Sequence, residues 1–290
     1  MSDLNQSSTF YLQVEAEVSE NRYSLDTSHY ERLLHYYNSL KSNVRLRPFF
    51  RYNWSRRVAP MQEIIASLPK RDVPWNVFDA GCGLGTEAIF WSTLRDDIEV
   101  TGADISAERL NTAKARQSAY ESHLGKSLNL RFFEQDVVNV LKARRFDLVW
   151  VMEAISHIDP VEKFLAAVSE NVDQDGCLVI SDSHLLNPAM AWRVFRLRLG
   201  GVELHTHKTT STGEIVSYTQ ERLFTIKRLS RMLKQTGFSS VKVQMSIFFP
   251  PSLARFPWLF SFFTWSDAIL SRVLLVRNLG GIYTIVAAKQ

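Results

Sequence analysis

Three aspartates and one glycine-rich turn have the types and spacing to hold a nucleotide-like group. Asp79 closes an apolar run with Val77 and Phe78, Asp104 follows Ile98–Ala103, and Asp136 follows Leu128–Gln135. A carboxylate has two oxygens and can accept from both hydroxyls of a ribose. Asp79 is followed by Gly81, Gly83 and Gly85, and then Thr86. Glycines there permit a tight turn and close approach of a ligand to the backbone. Thr86 is expected to cap the next helix, whose unpaired N–H groups would face the loop. The dinucleotide pattern G-x-G-x-x-G needs its third glycine at position 86, one residue later than Gly85. An NAD-dependent oxidoreductase is therefore the weaker alternative. Asp104 lies nineteen residues after Gly85, near the ~20 expected of a ribose-binding acid. Ile105 is expected against an adenine face, and Asp136 to accept from its amine while Val137 packs on the ring. Further on, Glu153 and His157 follow the run Phe146–Met152, and His184 follows Cys177–Ser181. A neutral imidazole accepts a proton at ordinary pH. His157 is thus the first candidate base and His184 the second, unless His157 only fixes its loop. Glu153, one turn earlier if that loop is helical, could orient the imidazole or contact an ammonium. His205 and His207 could reach a substrate from a polar loop; with no carboxylate cluster beside them, no metal site is expected.

Positioning these groups requires alternating strands and helices, and the sequence supplies them from Asn76 to Asp182. Stretches at 76–80, 98–103, 128–135, 146–152 and 177–181 read as strands, the first of them, with Val77, Phe78 and Ala80, covered on both faces. Between them lie helical stretches at 86–94, 106–122 and 160–172, with Ser106-Ala-Glu-Arg as an N-cap signature. Such alternation predicts an α/β fold with a parallel sheet and helices on both faces. Beyond it, Pro188–Leu199 reads as an arginine-rich helix and 200–217 as a polar loop. An amphipathic helix at 221–235, a strand at 239–248 and a last strand at 282–288 complete the chain. On the N-terminal side, 29–40 and 61–68 have helical spacing, with a basic-aromatic run at 45–57 between them. These helices pack on the sheet edge or cap the cofactor, with Arg51 or Tyr52 near its carboxylate.

The D-x-G-x-G-x-G pattern at Asp79–Gly85, with Asp104 and Asp136 behind it, resembles class I S-adenosylmethionine (SAM)-dependent methyltransferases. The segment Val149–Phe164 (Val-Trp-Val-Met-Glu-Ala-Ile-Ser-His-Ile-Asp-Pro-Val-Glu-Lys-Phe) is similar to the region after the fourth strand in small-molecule members of that family. The resemblance runs from about Asn76 to Lys289. It implies a Rossmann-like sheet of seven strands with the last strand antiparallel, here with a helical N-terminal cap and a helical insert or lid. It implies SAM as cofactor, held by Asp79, Gly81, Gly83, Gly85, Asp104, Ile105, Asp136, Val137 and Met152. The expected division is a cap at 1–70, a SAM-binding core at 71–186, a lid at 187–220 and a completion of the core at 221–290. The D/N-P-P-Y/F motif of amino-methylating nucleic-acid enzymes is absent after the fourth strand, where Met152-Glu153-Ala154-Ile155 stands. So are the Pro-Cys of cytosine-C5 enzymes and the paired glutamates of protein-arginine enzymes. The expected activity is methyl transfer to a small-molecule acceptor, hydrophobic or lipid-linked, with no nucleic-acid partner. Oxygen is the preferred target atom because the histidines gather at one rim. Transfer to nitrogen or carbon and a non-catalytic SAM-binding scaffold are the other readings.

Composition agrees with a globular domain: 290 residues, 46% hydrophobic, net charge +4. Two cysteines, Cys82 and Cys177, and a polar start suggest a reducing, cytoplasmic setting. The stretch 253–276 is strongly apolar, with Trp258, Phe262, Trp265 and Ile269 among Arg255, Arg272 and Arg277. It reads as core or homodimer interface, or as an acceptor pocket or membrane-surface helix.

Overall fold

The structure is a computed structural model that describes residues 57, 59–200, 205–220, 222–249, 257–273 and 276–289. Arg51, Tyr52, Arg255, the helix expected at 29–40 and most of the expected cap lie outside the described residues.

Strands and helices alternate through the core. They are α1 (Ala59–Ser67), β1 (Trp75–Ala80), α2 (Thr86–Leu94), β2 (Ile98–Asp104), α3 (Ala107–Leu124) and β3 (Leu130–Glu134). There follow α4 (Val137–Ala143), β4 (Phe146–Met152), α5 (Val161–Asn171), β5 (Val172–Ser183) and α6 (Pro188–Leu199). The chain closes with β6 (His205–Thr209), β7 (Ile215–Thr219), α7 (Ile226–Gln235), β8 (Phe238–Ser246), α8 (Pro257–Leu270) and β9 (Ile282–Lys289). Seven strands form one sheet in the order β3-β2-β1-β4-β5-β9-β8. β1 to β5 are mutually parallel, and β9 runs antiparallel between β5 and β8. This is the sheet that the resemblance implies.

Alternate residues of each strand face opposite sides, and both sides are apolar. One face packs Phe78, Val149, Ile180 and Ile285 against α4, α5 and α7. The other packs Val100, Trp150 and Val179 against α1 and α2, where Trp91 meets Trp150 edge-on at 5.4 Å between ring centres. Burial on both faces is the reason these strands read as continuous apolar runs.

Two local elements go beyond the expected ones, and two expectations are corrected. Residues 137–143 are helical although Val137, Val138 and Val140 are β-branched; the Asp136 side chain caps the helix and the core face buries Val137, Val140 and Leu141. Gln174-Asp-Gly176 falls within the bounds of β5 as an irregular turn: pairing with β4 jumps from Phe146–Val172 to Leu148–Cys177, and Asp175 has φ +67°. The helix expected from 221 starts at Ile226, where Thr225 caps it through the Arg228 N–H. The expected polar loop at 200–217 contains two paired strands, β6 and β7. Among the described residues, no helix is long and apolar enough to cross a membrane.

Candidate functional site

The site is built where β1, β2, β3 and β4 end on the same rim. After β1 the backbone N–H groups of Gly81 and Cys82 both donate to the Ala103 carbonyl, at 2.8 and 3.0 Å, and Gly85 N–H donates back to the Cys82 carbonyl. Gly83 and Gly85 have φ of +52° and +70°, a left-handed conformation that costs other residues about 1–2 kcal/mol. Gly85 is also the residue preceding α2, so Thr86 opens the helix instead of capping it. The Thr86 hydroxyl accepts from the Arg116 guanidinium at 2.7 Å.

Asp104 ties this loop to the next one. Its Oδ2 accepts from the Gly83 N–H at 3.0 Å and its Oδ1 from the Ser106 N–H at 2.9 Å. Each oxygen retains a second lone pair for a ligand hydroxyl. Asp136 spends Oδ1 on the Val138 N–H, and burial raises its carboxyl pKa.

A cleft opens over these ends. Gly81, Asp104, Ile105, Asp136 and Val137 line its floor, and Glu153 and His157 its side. The hairpin β6–β7 forms the opposite wall through Lys208, Val216, Ser217 and Tyr218. Polar contacts at both ends lay the hairpin across the mouth. At its tip Ser211 donates to both oxygens of Glu134, and Glu214 accepts from the Asn139 side chain. At its base the Thr219 N–H and hydroxyl donate to the carbonyls of His157 and Ser156. Asp159 accepts from Ser217 at 2.7 Å and from Arg222 at 2.8 Å. Burial alone would raise the Asp159 pKa; those two partners outweigh it, and the carboxyl lies below its ordinary range.

His157 is held on two sides. Its Nδ1 lies 2.9 Å from the Thr219 carbonyl, which can only accept, so Nδ1 carries a proton. In the neutral ring the lone pair is then on Nε2. The imidazole stacks on Tyr218, with ring centres 5.0 Å apart and planes 5° from parallel. Beyond, the Lys208 ammonium sits 3.9 Å from the Tyr218 ring centre. Burial lowers the Lys208 pKa.

Glu153 has φ +51°, uncommon for a side chain of its size. Its carboxylate pairs with Arg57 at 2.7 Å, and the Arg57 Nε donates to Ser181. Arg57 belongs to the basic-aromatic run legible in the sequence, yet nothing local marks it over Arg51. Lys208, Tyr218 and Arg109 also reach the cleft and carry no sequence signal beyond residue type.

Other sequence candidates lie away from the cleft wall. Met152 packs toward the α1–α2 face. His184 is 1% exposed, and its Nε2 accepts from the Ile226 N–H at the start of α7. Burial lowers its pKa, and a ring nitrogen that accepts an N–H carries no proton. His205 and His207 sit exposed on β6, with His205 Nδ1 3.7 Å from Asp159.

Asp79 is 3% exposed, and its Oδ2 has no partner among the described residues. Burial first, then Glu87 and Asp104, push its carboxyl well above the ordinary range. Glu87 is likewise raised by burial. Acids strained in this way are stabilised by a cationic group. A side chain on Gly83 would project into open space, with Arg109 Nη1 and Asp104 Oδ2 its nearest atoms, each 4.0 Å away. A cradle that only glycine leaves open, an acid placed for ribose hydroxyls and a buried Asp79 carboxyl that a neighbouring cation would ionise fit SAM.

Residues 78–178 match the model of a family described as a methyltransferase domain. Among curated proteins, the chain is 26% identical over 117 residues to (S)-coclaurine N-methyltransferase of Papaver somniferum, covering 40% of this chain and 31% of that protein. It is 28% identical over 148 residues to carboxy-S-adenosyl-L-methionine synthase of Campylobacter jejuni, covering 49% and 56%. The chain thus spans about half or less of these relatives. Phosphoethanolamine N-methyltransferase 2 of Haemonchus contortus, solved with phosphomonomethylethanolamine and S-adenosylhomocysteine, is similar in fold. That match has a TM-score of 0.50 at 16% identity over 80% of this chain and 52% of that one.

Proposed function

We propose that the chain transfers a methyl group from SAM to an oxygen atom of a small-molecule acceptor, with His157 as general base. The match of residues 78–178 to a methyltransferase-domain model and the order of the seven-strand sheet support this reading. The observation that carries this reading is the Nδ1 contact of His157 with the Thr219 carbonyl, on the wall of the cleft that Asp104 and Asp136 floor. It leaves the basic nitrogen of a neutral imidazole as Nε2.

SAM supplies an electrophilic methyl carbon on a sulfonium. Asp104 would accept from the ribose hydroxyls, Ile105 and Val137 would pack on the base, and Asp136 would accept from its amine. Asp79, whose Oδ2 has no partner among the described residues, would ionise beside an ammonium, and Glu153, held by Arg57, would lie near it. The hairpin narrows the mouth and limits water. His157 takes the proton of an acceptor hydroxyl as the oxygen attacks, which is the step a hydroxyl requires and a neutral amine does not. A hydrophobic or lipid-linked acceptor suits the apolar segments beside the rim.

The test uses methyl-labelled SAM with matched hydroxyl and amine acceptors. Expected is transfer to the hydroxyl compound, with a rate that falls in acid as imidazole protonates. His157→Ala should lower turnover by roughly 10²–10⁴-fold with SAM affinity nearly unchanged. Parental turnover in a folded His157→Ala protein overturns the base role. A nitrogen acceptor is the second reading, favoured by the names of the Papaver and Haemonchus proteins; transfer to amines that His157→Ala spares would establish it. Binding of SAM with no transfer to any acceptor would mark a scaffold.

A further inference from the structure

The helices α6 and α8 expose an apolar, cationic surface beside the site. α6 follows the end of β5 and α8 follows the end of β8, and β5 and β8 point the same way, so both helices stand at the rim that holds the cleft. The Asn187 side chain joins the two regions. Its Oδ1 caps α6 at Ala189 and Met190, and its Nδ2 donates to the Leu279 carbonyl beyond α8. Asp267 fastens α8 to the sheet by accepting from the Ile247 and Phe248 N–H groups.

Of the twelve residues of α6 only Val194 is buried. Trp192, Phe195 and Leu199 repeat at i, i+3 and i+7, one face of a helix, and Trp192 and Leu199 are 60% and 71% exposed. On α8, Phe262, Trp265 and Ile269 repeat at the same spacing, with Trp265 62% exposed. A core helix buries such a stripe; these two present it outward. Between them, α6 and the segment 257–279 carry exposed Arg193, Arg196, Arg198, Arg272 and Arg277. The single acid in these segments is Asp267, which is buried.

Exposed Trp, Phe and Leu interleaved with arginines and lacking surface carboxylates have the chemistry of a helix at an anionic lipid interface. The rings and aliphatic chains enter the headgroup–acyl boundary while the guanidinium groups meet lipid phosphates. A second copy of this chain suits the surface less well, because a two-fold contact would set these arginines against their own equivalents. We propose that this face binds the surface of a membrane containing anionic phospholipid, with the chain lying on the membrane. The inference rests on the surface alone and is independent of the methyl-transfer reading.

The test is co-sedimentation of the full chain with vesicles of phosphatidylcholine alone and of phosphatidylcholine mixed with phosphatidylglycerol. Expected is binding to the mixed vesicles only, weakening as salt rises. Each basic residue near an anionic surface contributes roughly fivefold, so Arg193→Glu with Arg196→Glu and Arg198→Glu should weaken partitioning on the order of a hundredfold or more. Trp192→Ser with Phe195→Ser should also release the protein. Both variants alter exposed residues and should keep the parental melting temperature and SAM affinity. No binding to mixed vesicles at low salt, or undiminished binding by both variants, overturns the proposal. So does a parent that ignores vesicles yet dimerises by light scattering through this face.

Discussion

Alanine at Gly83 and at Gly85 should separate ligand space from packing space within one loop. Both glycines have positive φ, so each substitution carries about 1–2 kcal/mol of backbone strain. At Gly83 the added carbon meets nothing closer than 4.0 Å, and strain is the whole stability cost. At Gly85 it would lie 2.6 Å from Phe132 Cζ and 2.8 Å from Ala113 Cβ. Relieving that overlap in a packed region costs about 1–3 kcal/mol more. Urea unfolding followed by circular dichroism should therefore show Gly85→Ala losing about twice the stability that Gly83→Ala loses. Calorimetric titration with SAM should show the reverse emphasis for Gly83→Ala. A methyl group placed in the cofactor's contact surface costs about 1–3 kcal/mol of binding, or roughly 5–150-fold in Kd. Parental SAM affinity in a folded Gly83→Ala protein would refute the placement of the cofactor on this loop. Equal stability of the two variants would refute the packing argument.

Asp104→Ala removes the acceptor of the Gly83 and Ser106 N–H groups together with the proposed ribose contact. SAM affinity should fall by about 1–3 kcal/mol; an unchanged calorimetric Kd in a folded variant would remove Asp104 from the site. Asp182 supplies a pH dependence, because burial raises its carboxyl pKa to about 6 despite N–H donors from Ser183 and Ser156. The folded chain keeps that proton where the unfolded chain, with a carboxyl near ~3.9, has released it. Stability should therefore fall as pH rises from about 4 to about 6, by on the order of 3 kcal/mol, and then level off. Asp182→Asn should flatten the curve in urea titrations across that range, and the same slope in parent and variant would assign it to other groups.

The core was legible because its signals are local. A strand buried on both faces must be apolar throughout, and a turn with positive φ selects glycine, so β1, its glycine loop and α2 stand out over Val77–Leu94. Asp104 and Asp136 could be picked as strand-ending acids for the same reason. The α4 helix was less legible because Val137, Val138 and Val140 have weak helical preference; the Asp136 cap and burial against the sheet decide it. The hairpin reads as loop because β6 and β7 are largely polar. Their pairing and their anchors on Glu134, Asn139 and the 156–157 carbonyls come from residues far away in the chain.

By itself the sequence determined the alternation of elements, the glycine turn and the acids at the strand ends, since each follows from the conformations and burial that neighbouring residues prefer. It also determined that a histidine follows β4. Tertiary structure alone decided that His157 meets the Thr219 carbonyl and the Tyr218 ring, that Arg57 pairs with Glu153, and that His184 is buried under α7. Each of those contacts joins residues at least 42 positions apart. Such contacts exist only after the sheet has brought the ends of its strands to one rim, and no periodicity along the chain records them.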